Sequence, residues 1–203
     1  PEIFLALQEE EARISHVEVL FRHGDDENEL TKYRYEAVLH IEGDQPEELP
    51  VEWIDWQEQE MSLEQLETKL ADGDFNVAGF FNVPNELIQN DVLAVKLLRD
   101  DSSLDNITEL ARAVNDARKP AVHPNQFIEI ADKLGINVEL SWLGCDDQGC
   151  FRAIFKSKNL TNKRYLHPLT HERGNQWLNY ANNPLNEQIY RELIPKLKNH
   201  AYA

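Results

Sequence analysis

The stretch FNVAGFFNV, residues 75–83, limits the fold more than any other part of this chain. Its apolar residues run almost without interruption, so it lacks the in–out alternation of a strand with one wet face. A strand written this way is buried on both sides, as in sheets that carry cover on both faces. The flanking sequence supplies such cover. VEWIDW (51–56) reads as a short strand, and MSLEQLETKLA (61–71) as a helix opened by a Ser62–Gln65 capping box, with Met61 stapled on Leu66. PNELIQNDVLAVKLLRD (84–100) predicts a helix starting at Pro84, with Ile88, Val92, Val95 and Leu98 as its buried stripe. LDNITELARAVNDAR predicts another, with Ile107, Leu110, Ala111 and Val114 inward. HPNQFIEIADKLG predicts a third, running from Pro124 to a stop at Gly135, and INVELSW and CFRAIF close the unit as strands. Strands alternating with helices specify an α/β (α+β) chain with a small mixed sheet.

The N-terminal part has a different texture. PEIFLALQEEEAR reads as a helix, and SHVEVLFR alternates, with Val17, Val19 and Phe21 on one face. YRYEAVLHI predicts a second strand, with Tyr33, Tyr35, Ala37, Leu39 and Ile41 on one face and Arg34, Glu36, Val38 and His40 on the other. The two strands are expected to pair antiparallel across a turn-rich connection. GDQPEELP (43–50) is a surface break. From Lys156 onward the sequence becomes polar, irregular and Asn-rich, then begins a final helix that Pro195 interrupts. This places boundaries at 1–43, 44–158 and 159–203.

Charge and motif content exclude several functions. Acids outnumber bases 37 to 20 among 203 residues, a net charge of -17, which repels polyanions and makes nucleic acid a poor partner. No apolar run approaches the roughly 20 residues that cross a bilayer, and the N-terminus has neither the basic region nor the cleavage site of a secretory signal. The expectation is a cytoplasmic chain with two free thiols. Cys145 and Cys150 flank a hairpin turn that a disulfide could bridge, although nothing secretory favours one. His167, His171 and Glu172 sit in loop-like sequence broken by a proline and read as solvated, so no metal site is assigned. Trp53 and Trp56 read as packing residues. The chain has no G-x-G-x-x-G, Walker or G-x-S-x-G sequence.

NELTKYRYEAVLH (28–40) concentrates the groups able to do chemistry. Glu29 can accept a proton if its surroundings raise its affinity for one, and Asn28 offers a hydrogen bond of fixed orientation. Tyr33 and Tyr35 present hydroxyls at the loop end of the predicted strand. The alternative reading is structural: a capped turn followed by a strand with an Arg34–Glu36 pair.

The same stretch resembles a motif late in the methyltransferase domains of nonribosomal peptide synthetases, in which Asn-Glu-Leu, a hydroxyl residue, an aromatic, Arg-Tyr, Val and a closing His recur in this order. ISHVEVLFRHG, WIDW with the capped helix after it, NVPNELIQNDV and LGINVELSW resemble neighbouring blocks of that family in sequence order. WLNYANNPLNEQIYRELIPKLKNH is similar to the linker by which such a domain returns into an adenylation domain. The resemblance covers about residues 1–198 and ends at LKNHAYA, and LFRHG is less basic than its counterparts.

The resemblance implies S-adenosylmethionine-dependent N-methylation of an aminoacyl thioester on a carrier protein, and the sequence leaves O- or C-methylation open. It implies partners in the adenylation domain and the carrier of one synthetase. By motif position, Asn28, Glu29, Tyr33 and Tyr35 fall on the acceptor side as catalytic candidates. Arg34, Pro84 and Asn85 are substrate-side candidates, Arg34 as a strand brace and the other two as pocket wall. The cofactor would sit mostly on strands upstream of the motif. Residues 14–41 would then end a Rossmann-like sheet as an antiparallel strand pair, followed by the mixed-sheet extension, in a chain inactive by itself. Two other readings stand beside it: a non-catalytic scaffold module that docks on an adenylation domain through residues 165–198, and one half of a split enzyme.

Overall fold

Two sheets meet at Phe21, which enters the main core of the larger sheet while Ile14, Val17 and Val19 pack in a cluster of their own. The computed structural model describes residues 3–21, 28–43, 51–73, 75–99, 106–143, 148–157 and 160. Helix α1 (Ile3–Glu10) leads into strand β1 (Ile14–Phe21), which pairs antiparallel with β2 (Tyr35–Ile41) in a two-stranded sheet. Between them lies a one-turn helix, α2 (Glu29–Tyr33). The second sheet has the order β3-β4-β6-β5, formed by Glu52–Asp55, Val77–Pro84, Cys150–Lys156 and Asn137–Ser141. β3 runs parallel to β4, and the other two pairings are antiparallel, which makes the expected mixed sheet. Helices α3 (Leu63–Ala71), α4 (Gln89–Arg99), α5 (Ile107–Ala117) and α6 (Pro124–Leu134) complete the described elements.

Strand β4 is covered on both faces, as its unbroken apolar sequence requires. Ala78 and Phe80 join Leu66 and Leu70 of α3 and Phe127, Ile130 and Ala131 of α6 in the main core. Val77 packs on the opposite side with Ile154, Val51, Trp53 and Leu160. The main core is aromatic: Phe127 lies edge-on to Phe151 at 5.3 Å between ring centres, and Phe80 edge-on to Phe155 at 5.8 Å. Each such side chain stabilises the fold by about 1.5–3 kcal/mol through removal from water alone.

The local stop and start signals act as read. Ser62 Oγ accepts from the Gln65 amide while the Gln65 side chain accepts from the Ser62 amide, and Met61 packs against the cluster that contains Leu66. Gly135 ends α6 in the left-handed region, at φ 65°. Trp56 is buried in the core and Trp53 packs at its edge, in keeping with a packing role.

The two sheets are joined side by side. Phe21 at the end of β1 stacks on Trp142 at 4.3 Å between ring centres and belongs to the main core. Ser141 Oγ donates to the Val19 carbonyl at 2.6 Å and accepts from the Leu143 amide at 3.1 Å.

Three expectations are corrected. Tyr33 is not on the second strand: Asn28 caps α2 instead, its side chain accepting from the Leu30 and Thr31 amides while the Thr31 hydroxyl accepts from the Asn28 amide. A local polar cap out-competes the extended pairing that the alternation suggested. Pro84 does not open α4. It pairs with Cys150 at the end of β4, where a missing N–H is tolerated, and α4 starts only at Gln89. The predicted stripes of α4 and α5 are buried only in part: Ile88 and Val114 are buried and Val92 and Leu110 half-buried, but Val95, Leu98 and Ile107 are exposed by 46%, 63% and 82%, and Ala111 is exposed too. These two helices pack on each other rather than lying flat on the sheet. Cys145, His167, His171, Glu172 and the predicted helix broken by Pro195 lie outside the described residues.

Candidate functional site

A cleft runs along α4. Its smaller part, about 410 Å³, is lined by Tyr33, Asp91, Val95, Lys96, Arg99 and Gln148. The neighbouring part, about 820 Å³, shares Val92, Lys96 and Gln148 and extends to Gln57, Pro84 and Lys119.

The cleft floor is shaped by an irregularity in β4. The ladder to β6 shifts between Phe80 and Val83, and Asn82 adopts φ 55°, a left-handed conformation that asparagine tolerates better than most residues. Asp55 secures this bulge: its Oδ2 accepts from Asn82 Nδ2 at 2.6 Å, while Oδ1 accepts from the Gln57 and Glu58 amides. Gln57 Nε2 then reaches the Asn82 carbonyl at 3.1 Å and Cys150 Sγ at 3.5 Å. Asn85, fully buried, turns the chain toward α4, with its Oδ1 accepting from the Leu87 amide at 3.0 Å. The Pro84 carbonyl accepts from the Val122 amide at 2.8 Å, which anchors the same turn to the segment before α6.

Of the residues in NELTKYRYEAVLH, Tyr33 lines this cleft. Its hydroxyl donates to Asp91 Oδ2 at 2.5 Å, and Lys32 Nζ lies 3.6 Å from the same oxygen. Partial burial first, then the hydrogen bond and charge of Asp91, push the Tyr33 phenol up to about 12. The phenol therefore keeps its proton throughout the neutral range.

The other sequence candidates sit elsewhere. Asn28 is spent on capping α2, and Glu29 is exposed in the first turn of that helix. Arg34 is the exposed C-cap residue, its amide donating to the Leu30 carbonyl. Tyr35 opens β2 and lies edge-on to Phe4 at 6.2 Å. Pro84 lines the larger part of the cleft and Asn85 is buried behind it. Sequence reading missed Asp91, Lys96, Arg99 and Gln148. Asp91 reads as an ordinary acid in the first turn of a helix, where it complements the helix dipole. No local signal connects it to a tyrosine 58 residues earlier.

The lining reverses the balance of the chain. Around the smaller part, Lys96 and Arg99 face one acid, Asp91, in a protein with 37 acids and 20 bases. Among the described residues no cluster of His, Cys, Asp and Glu is arranged to hold a metal ion, and no helix is long and apolar enough to cross a membrane.

No protein-family profile matches the chain. Over 96% of its length it is 27% identical to chondramide synthase cmdD of Chondromyces crocatus, and over 95% it is 28% identical to cyclosporin synthetase simA of Tolypocladium inflatum. Over 98% of its length it is 28% identical to the nonribosomal peptide synthetase penN of Penicillium thymicola. The chain spans 5%, 1% and 8% of these three proteins, respectively. Along nearly its whole length, the chain is similar to a segment of nonribosomal peptide synthetases.

Proposed function

We propose that this chain forms the amine-acceptor side of an S-adenosylmethionine-dependent N-methyltransferase within a nonribosomal peptide synthetase. The substrate is an aminoacyl group held as a thioester on a carrier protein. The observation that carries the reading is the position of Tyr33. It belongs to the motif NELTKYRYEAVLH, and it lines a cleft large enough for an aminoacyl group.

The bound cofactor supplies an electrophilic methyl group. We read its pocket as lying mostly outside the described residues. Gly79 faces Trp53 and Val51, Gly149 faces Val92 and Ile88, and Gly135 ends a helix, so these three glycines do not form a strand-to-helix cradle. The proposal therefore assigns the methyl donor to a partner part of the synthetase, and β1 and β2 to the end of the Rossmann-like sheet that carries it. This chain's residues bind and orient the amine. Holding the nitrogen in line is the part of the work that geometry alone can do.

The test is Tyr33→Phe in a synthetase module that carries this segment, with a loaded carrier and S-adenosylmethionine supplied. Methylation is expected to fall by about 10²-fold while loading of the carrier is unchanged. An unchanged methylation rate would remove Tyr33 from the site and the reading with it.

A second reading, a non-catalytic docking module, draws on the exposed Val95, Leu98 and Ile107 of α4 and α5. Leu98→Lys distinguishes it. Loss of association with an adenylation domain, with methylation intact, favours docking. The segment 165–198 that this reading uses lies outside the described residues.

A further inference from the structure

We infer that Asp91 is a positioning residue that fixes the Tyr33 hydroxyl as a hydrogen-bond acceptor, so that the α4 cleft selects an uncharged amine. The inference rests on the N-methylation reading for its biological meaning. Its geometry stands without that reading.

A phenol has one proton to donate. Tyr33 gives it to Asp91 Oδ2 at 2.5 Å, on the cleft wall that both residues line. The hydroxyl oxygen is then left with acceptor capacity alone. A ligand beside it must bring an N–H or O–H. A carbonyl or an ether receives no proton from Tyr33.

The surrounding charges decide which form of an amine is taken. Asp91 by itself would draw an ammonium. Lys32, from α2, lies 3.6 Å from the same carboxylate oxygen and offsets its charge. Lys96 and Arg99, from α4, line the same cleft, and Gln148, from the segment before β6, adds no charge. Lys32, Lys96 and Arg99 border this part of the cleft beside one acid, Asp91, and nearby like charges disfavour the protonated amine. A neutral amine keeps its N–H groups for Tyr33 and its lone pair for attack. The high phenol value keeps the donated proton on Tyr33, so the acceptor role persists at neutral pH.

The full chain is titrated with alanine methyl ester, and with methyl propionate as its counterpart without any N–H, by nuclear magnetic resonance. Alanine methyl ester is expected to shift resonances around Tyr33 and Asp91 and methyl propionate to leave them unmoved. Affinity is expected to rise as pH increases through about 8, where a free α-amino group loses its proton. Asp91→Ala and Tyr33→Phe are each expected to weaken binding about ten-fold, and Asp91→Glu to restore most of it. Asp91 is on the surface, so circular dichroism of each variant should match the parent. Equal binding of methyl propionate, tighter binding of the amino ester below pH 7, or no effect of Asp91→Ala would overturn the inference. Selective binding by this chain, with no methylation in the synthetase module, would leave the inference standing and defeat the N-methylation reading instead.

Discussion

Tyr33 and Asp91 are joined by a 2.5 Å hydrogen bond between α2 and α4, two helices brought together from positions 58 residues apart. The phenol donates and the carboxylate accepts, which ties the motif-bearing turn to the wall of the cleft.

That contact has a spectroscopic signature. The Tyr33 phenol is pushed up from 10.0 to about 12, by partial burial first and then by Asp91. A raised folded value means that the contribution to stability is fully present below the unfolded value near 10 and is lost as pH rises through about 12. Ultraviolet titration of the phenols is expected to show a late-ionising tyrosine, and Asp91→Ala to move it part of the way back toward 10. A late phenol wholly unmoved in Asp91→Ala would show that Asp91 does not hold its proton.

Ser141 joins the two sheets through one buried hydroxyl. It donates to the Val19 carbonyl and accepts from the Leu143 amide. Ser141→Ala leaves both groups without that partner, and is expected to cost about 1–3 kcal/mol in denaturant unfolding. A change within a few tenths of a kcal/mol would mean that the stacking of Phe21 on Trp142 carries the junction instead.

Gly79 is where β4 lets Trp53 approach. A Cβ at this position would lie 2.6 Å from Trp53 Cε3 and 2.7 Å from Val51 Cγ1. Gly79→Ala is expected to destabilise the fold by about 1–3 kcal/mol and to change the tryptophan fluorescence. Parental stability in that variant would show that the Trp53 ring can move aside.

Asn28 separates a cap from a ligand contact. Both Asn and Asp accept hydrogen bonds at a helix N-cap, whereas Ala does not. Asn28→Ala is expected to cost about 1 kcal/mol and Asn28→Asp to restore it. If methylation in the synthetase module falls equally in both variants, Asn28 acts on substrate rather than on α2.

The sequence was legible where a single element specifies its own surroundings. The apolar run of β4 required cover on both faces, and it has α3 and α6 on one side with Val51 and Trp53 on the other. Ser62, Gln65 and Gly135 marked helix ends through contacts made within a few residues. Strand β6 was harder. All seven of its residues are buried, yet Arg152 and Lys156 break its apolar pattern. The Arg152 guanidinium lies over the Trp53 ring at 5.7 Å, and Lys156 pairs with Glu139 at 2.5 Å, neither of which a local pattern shows. Helices α4 and α5 failed the opposite test. Their apolar residues have helical spacing, but the two helices pack on each other and leave Leu98 and Ile107 in water. The candidate site divides in the same way: Tyr33 was found by its motif, while Asp91 depended on a tertiary contact.

The most direct test of the account is the mass of the carrier-bound aminoacyl group. A synthetase module carrying this segment is given S-adenosylmethionine and a loaded carrier, and the released amino acid is fragmented to locate any added methyl group. The account predicts one methyl on the amine nitrogen, greatly reduced in Tyr33→Phe. A methyl on oxygen or carbon, or full nitrogen methylation in Tyr33→Phe, would contradict it.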